Sequence, residues 1–186
     1  MTGPRGLATW VAATVAIVLA TTYSERPSPD PAAIADAIRG AETAELNLEI
    51  VPAGYNGPGS SVELMRPVLD RVPTELAKYY AGALLTRKVT QHQNGIRQMA
   101  DAGGGGRIGG VKTLALRIVW VSGATAIISA EVTVWFKSAQ FWYQPIPSQA
   151  QPAQTNVIDL DLHLLKDSGA WKIDQEHWQF APGGGP

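Results

Sequence analysis

The chain has 186 residues, a formal net charge of -1 and no cysteine. A near-neutral chain with scattered Lys and Arg lacks the basic footprint of a nucleic-acid binder, so nucleic acid is not an expected partner. The absence of cysteine excludes disulfides, thiolate metal sites, a cysteine nucleophile and a lipid-modified N-terminal cysteine.

Residues 1–23 form a first unit. Gly6 to Tyr23 reads GLATWVAATVAIVLATTY, eighteen residues without a charge. As a helix it would span roughly 27 Å, close to the hydrocarbon thickness of a bilayer. Arg5 lies before it, and Glu25, Arg26 and Asp30 follow. The positive-inside rule then puts the N-terminus in the cytoplasm and the remainder outside. A cleaved signal peptide is the main alternative, but Thr22-Tyr23-Ser24 is a poor small-x-small cleavage site. A buried core helix would need a polar face that this segment lacks. The expectation is a single-pass anchor, with the membrane as its first partner.

Residues 24–31 are a proline-rich spacer that favours extended backbone. Residues 32–181 read as one α+β domain, and residues 182–186 as a flexible tail. Asp30 and Pro31 suit the cap and first position of a helix running to about Glu45, with Ile34, Ile38 and Ala41 on one stripe. Val51 to Gly59 is a loop. Ser60 and Glu63 form a capping-box pattern ahead of Met65, Leu69 and Val72. Pro67 within that run predicts a kink or two short helices. Thr74, after Pro73, is placed to cap a longer helix whose stripe is Leu85, Val89, His92, Ile96 and Met99.

The period then changes to two. Leu114, Leu116, Ile118 and Trp120 alternate with the residues between them, and so do Ala126 to Phe136, which predicts a hairpin with a two-residue turn near Ser122-Gly123. A connection over residues 138–154 is rich in Gln, Pro and aromatics. Ile158, Leu160, Leu162 and Leu164 form the next strand, and Asp167-Ser168-Gly169 turns into a last strand with Trp171 and Ile173. Helices followed by an antiparallel meander with one polar face specify an α+β fold.

The hairpin VKTLALRIVWVSGATAIISAEVTVWF and the closing pair NVIDLDLHLLKDSGAWKIDQEHW resemble the nuclear transport factor 2-like superfamily, over about residues 60–180. The resemblance implies a cystatin-like cone, in which a curved sheet wraps N-terminal helices. Membrane-anchored members are assembly components, such as the inner-membrane scaffold of type IV secretion and conjugation machines or accessory proteins of mammalian-cell-entry lipid importers. Soluble members include ketosteroid isomerase-like and polyketide cyclase-like enzymes, so the fold by itself leaves function open.

Asp159, Asp161 and His163 share one strand face, opposite the leucines, and alternation alone makes them a solvated stripe. An isomerase would need a carboxylate base and an acidic donor pointing into the cone, and these three point away. Glu176 and His177 are neighbours on a strand and face opposite sides. Gly104, Gly106 and Gly109 match G-x-G-x-x-G, but they follow a helix and precede a strand, the reverse of a dinucleotide loop, and read as a flexible connector. His92 sits on an apolar stripe and reads as a hydrogen-bonded core or pocket-edge histidine; with Trp120 and Trp171 it makes the candidate pocket. Phe141, Trp142, Tyr143 and Ile146, beside a Pro-rich loop, are the candidate interaction surface. No catalytic residue, cofactor or metal is expected. The resulting expectation is a non-catalytic scaffold or interaction domain of a bacterial envelope complex, with protein partners that include further copies of itself. The alternatives are a small-molecule or lipid-binding or isomerase-type cone, and a secreted binding protein.

Overall fold

The computed structural model describes residues 31–51, 62–101, 105–140 and 153–185, all within the compact unit Pro31–Pro186. The apolar segment at 6–23, most of the spacer and the aromatic run at 141–146 lie outside the described residues. Among the described residues, no helix is long and apolar enough to cross a membrane.

Helix α1 spans Pro31–Leu48 and opens on the proline, whose missing N–H costs nothing at a first-turn position. Its buried stripe is Ile34, Ile38, Ala41 and Leu48. Helix α2, Val62–Leu76, keeps both Pro67 and Pro73 inside one helix, where a kink or break was expected. Pro73 has no N–H to offer the carbonyl of Leu69, and Gln93 Nε2 on the next helix donates to that oxygen at 3.2 Å. With the orphaned carbonyl satisfied, α2 runs past Pro73. Thr74 therefore lies inside α2 and does not cap α3, which begins at Gly82 (φ 58°) and extends to Asp101.

Among the described residues, five strands follow the meander order β1-β2-β3-β4-β5, every neighbour antiparallel. They are β1 Ile50–Val51, β2 Gly105–Ser122, β3 Thr125–Gln140, β4 Gln154–Asp167 and β5 Ala170–Phe180. The two hairpin turns are two residues long. Gly123 (φ 57°) opens the first, so the turn is Gly123-Ala124, one residue later than the sequence suggested; Ser168 (φ 51°) and Gly169 (φ 89°) form the second. Register shifts at Val111/Thr113, Ile118/Trp120 and His163/Leu164 are bulges, which bend the strands and curve the sheet around the helices. The concave face buries Ile128, Val132, Leu160, Leu164 and Ile173 against Ile34 and Ile38 of α1. Each such side chain contributes about 1.5–3 kcal/mol of hydrophobic stabilisation. Tyr80, between α2 and α3, closes one end. Beside it, the Ala81 amide donates to Ile173 O at 2.9 Å, and the Ile173 amide donates to Tyr79 O at 2.8 Å.

The glycine run is not a connector. Gly105 to Gly110 form the first third of β2, paired with β1 on one side and with Trp135 to Gln140 on the other. Small residues are needed because the β3 backbone and, behind it, α1 both come close here. A Cβ on Gly109 would lie 2.3 Å from Trp135 O and 3.2 Å from Leu46 Cδ1. Beyond the short β1, Asn47 takes over its pairing role: its amide donates to Gly109 O at 2.8 Å and accepts from Gly109 N at 3.3 Å. Gly109→Ala should therefore cost about 1–3 kcal/mol, measured as a lowered urea midpoint at unchanged slope. At the other terminus, Ala181 to Gly184 fold back on β4. Gly184 O accepts from Val157 N, and Val157 O accepts from Ala181 N, both at 3.0 Å.

Candidate functional site

Four glutamates meet inside the domain. Glu42, Glu45 and Glu49 recur at intervals of three and four along α1 and its exit, which places them on one side. Glu176 comes from β5. Although it precedes His177 in a strand, it is Glu176 that turns inward, because Trp178 and Phe180 share its face. Facing these acids from α3 are Lys88 and His92, one turn apart and both buried, and from β2 comes Arg107.

Lys88 Nζ bridges Glu45 at 2.7 Å and Glu176 at 2.8 Å, and lies 5.2 Å from the Tyr80 ring centre. The Tyr80 hydroxyl donates to Glu45. His92 Nε2 contacts Glu45 at 3.3 Å and Nδ1 contacts Glu49 at 3.0 Å. Two ring nitrogens that both face carboxylates must both donate, so His92 is an imidazolium here. Arg107 completes the group, 3.6 Å from Glu49 and stacked near Phe136.

Burial and pairing pull the titrations in different directions. For Glu45, burial opposes ionisation, but hydrogen bonds from His92, Lys88 and Tyr80 overrule it and hold the carboxyl at about 2. For His92, burial disfavours the cation, yet the two carboxylates raise it to about 9. Lys88 is likewise raised by Glu45 and Glu176 against burial. Burial pushes Tyr80 well above its ordinary value, with the surrounding glutamates adding to it. Glu176 is raised, by burial first. Glu42 differs from the rest. Burial, then Glu45 and Glu176, lift it to about 8, and none of the ion pairs among the described residues includes it.

Beside this network, at the open end of the cone, lies a cavity of about 210 Å³. Glu42, Glu45, Lys88 and Glu176 line its polar side, and Phe136, Trp178 and Phe180 its apolar side. Trp178 and Phe180 stand edge to face, with centroids 5.5 Å apart. Two buried polar atoms on the lining residues lack partners, Glu176 Oε2 and Arg107 Nε.

Of the residues singled out in sequence, His92 is buried in the network and touches the cavity only through Glu45. Trp171 is buried in the core under Lys166, away from the cavity. Trp120 is on the outer face, 48% exposed. Alternation from Leu114 aims it inward, but the bulge between Ile118 and Trp120 inserts one residue and turns it out opposite Ile127. Asp159 and Asp161 lie on the outer face, and His163 Nδ1 contacts Asp174 Oδ1 at 2.6 Å. No group of His, Asp and Glu among the described residues could hold a metal ion. Phe141, Trp142, Tyr143 and Ile146 lie outside the described residues. Sequence reasoning did not single out Glu42, Glu45, Glu49 or Lys88. The signal was present, because Ile34, Ile38, Ala41, Glu45 and Leu48 step by four, three, four and three.

No family model matches the chain, and no curated protein is similar to it in sequence. Solved structures are similar in fold. The intermembrane-space region of the chloroplast protein ARC6 superposes with a TM-score of 0.52 at 12% identity, over 83% of this chain and all of that one. A periplasmic fragment of TraM superposes with a TM-score of 0.52 at 11% identity, again over 83% of this chain and all of the other. CagV of Helicobacter pylori, a VirB8 homologue of a type IV secretion system, is more distant, with a TM-score of 0.43 at 10% identity over 78% of this chain and 98% of its own. The chain has the nuclear transport factor 2-like fold, with helices packed on a curved antiparallel sheet.

Proposed function

We propose that this domain is the extracytoplasmic, non-catalytic interaction module of a bacterial envelope complex, held to the membrane by the apolar segment at residues 6–23. The observation that carries the reading is an apolar patch on the outer face, at the β2–β3 hairpin end. Trp120 pairs across the strands with Ile127, and Val119 occupies the bulge beside them. Their exposures are 48%, 44% and 58%. Single exposed apolar residues are ordinary, but three adjacent ones with a tryptophan at the centre have the composition of a binding hot spot. The eighteen-residue uncharged segment and the occurrence of the same fold in an intermembrane-space region and a periplasmic fragment support the location.

In the inner network Glu45 and Glu176 are ion-paired to Lys88 and the Tyr80 hydroxyl is committed to Glu45, so these three groups hold the helices and β5 together. Ile127→Glu tests the interface. It places a charge on a solvent-facing position and should leave the melting transition within about 0.5 kcal/mol of the parent. Co-purification of partners from solubilised membranes should fall at least tenfold. Undiminished co-purification would remove the patch from the interface.

A further inference from the structure

Strand β2 has an open edge. On the side away from β3 its first residues are paired: β1 covers Gly105 and Gly106, the Arg107 amide donates to Glu49 O at 3.2 Å, and the Asn47 side chain takes both backbone groups of Gly109. Farther along, among the described residues, no hydrogen bond reaches the backbone of residues 111–121 from that side. Arg107 and Gly109 belong to the concave face, and in a strand the face a residue takes fixes the edge that its N–H and C=O meet. Leu114, Leu116 and Ile118 pack on the same concave face, so their amides and carbonyls point to the open edge. Bulges between Val111 and Thr113 and between Ile118 and Trp120 bound this stretch. Residues 113–118, Thr-Leu-Ala-Leu-Arg-Ile, are left as a regular edge with one charge and no proline. Such an edge is a template for another strand.

We propose that this edge pairs with the same edge of a second copy of the chain, antiparallel about a two-fold axis at Leu116. Leu116 then faces Leu116 of the second copy, and Leu114 faces Ile118, so the apolar face runs on across the junction. These pairs exchange about six hydrogen bonds. On the outer face Arg117 comes opposite Ala115 of the second copy, whose own neighbour on β3 is Glu131. The small alanine lets the guanidinium reach over it to that carboxylate, two strand spacings or roughly 10 Å away between Cα atoms. Arg117 and Glu131 are both exposed, and neither has an ion pair among the described residues. The two-fold axis supplies that pair twice. Charge also fixes the register. An axis at Arg117 sets the two guanidiniums against each other, and one midway between Leu114 and Ala115 opposes Arg117 to Lys112. The Trp120–Ile127 patches lie to either side of the axis and stay open. This pairing goes beyond the interaction role proposed above and does not depend on it.

Sedimentation of the full-length chain in mild detergent tests the pairing, and should show a reversible equilibrium between monomer and dimer. Arg117→Glu should raise the dimer dissociation constant at least tenfold, and Glu131→Gln should weaken the dimer in the same direction. Combining Arg117→Glu with Glu131→Arg should restore it. These positions are exposed, and circular dichroism confirms that the variants fold. Ile127→Glu, which probes the interaction role, should leave the dimer intact. Because the chain has no cysteine, Ala115→Cys introduces a single thiol, through which a short bismaleimide should link two copies. Lys137→Cys, exposed on β3, should not be linked. Amide exchange at Leu114, Leu116 and Ile118 should slow as protein concentration rises. A monomer at every concentration would overturn the proposal. So would a dimer indifferent to Arg117→Glu, or one in which those three amides exchange as they do in the monomer.

Discussion

Lys88→Met will lower the unfolding free energy by about 3–5 kcal/mol, the cost of removing one partner from a buried charge cluster. The reason lies in what is left behind. Glu45 and Glu176 reach Lys88 at 2.7 and 2.8 Å, and without it two buried carboxylates face each other. Methionine fills most of the lysine volume, so a cavity is not the main cost. The triple variant Lys88→Met, Glu45→Gln, Glu176→Gln should recover most of the loss, because the amides carry no uncompensated charge. Urea denaturation of the single and triple variants checks this. A single variant within about 1 kcal/mol of the parent would show that the cluster does not hold α1, α3 and β5 together.

The pH dependence of stability is the second large effect, and its sign follows from three groups. Glu42 is raised from 4.5 to about 8, so its contribution is fully present below 4.5 and is lost as the pH rises through 8. His92 is raised from 6.5 to about 9, so the stabilisation from its two carboxylates is present below 6.5 and lost through 9. Glu45 is lowered from 4.5 to about 2, and its contribution is present above 4.5 and lost as the pH falls through 2. The gain from Glu45 and the loss from Glu42 balance at pH 4.5, so the domain should be most stable near pH 4.5 and lose several kcal/mol by pH 9, on the order of 1.4 kcal/mol per pH unit for each titrating group. Glu42→Gln should flatten the part of that decline between pH 5 and 8 and leave the part due to His92. Urea midpoints measured from pH 4 to 9 would show this. A flat profile for the parent protein would contradict it.

The fold was legible because most of its elements follow a simple period. The alternation of Ala126 to Val134 and of Leu160 to Leu164 is the concave face, and Gly123 and Gly169 sit in the turns that need positive φ. What the pattern missed has local causes. A bulge reversed Trp120, because one extra residue flips every side chain after it. Gln93 reaches the carbonyl orphaned by Pro73, a contact between helices that no local rule contains. Glycines that read as a connector are a strand, and they are small because the neighbouring strands and α1 approach them closely, contacts that no local pattern contains.

The site was harder to see. Glu45 and Lys88 occupy stripe positions on two helices, and each alone reads as a surface charge at a helix edge. Only their convergence with Glu176, eighty-eight residues beyond Lys88, makes them a buried set. His92 was visible because a histidine between Val89 and Ile96 breaks an apolar stripe. Of its two acidic partners, Glu45 lies where the pattern ends the helix, and Glu49 follows the actual end of α1 at Leu48, three residues further on.

The outer patch is where the proposed role is most exposed to failure. A photoreactive amino acid placed at Trp120 in the full-length chain, irradiated in intact cells, should cross-link to an envelope protein. The same group at Glu131, exposed farther along the same outer face, should cross-link far less. Equal labelling at both positions, or no protein adduct at position 120, would contradict the assignment of this domain as an interaction module.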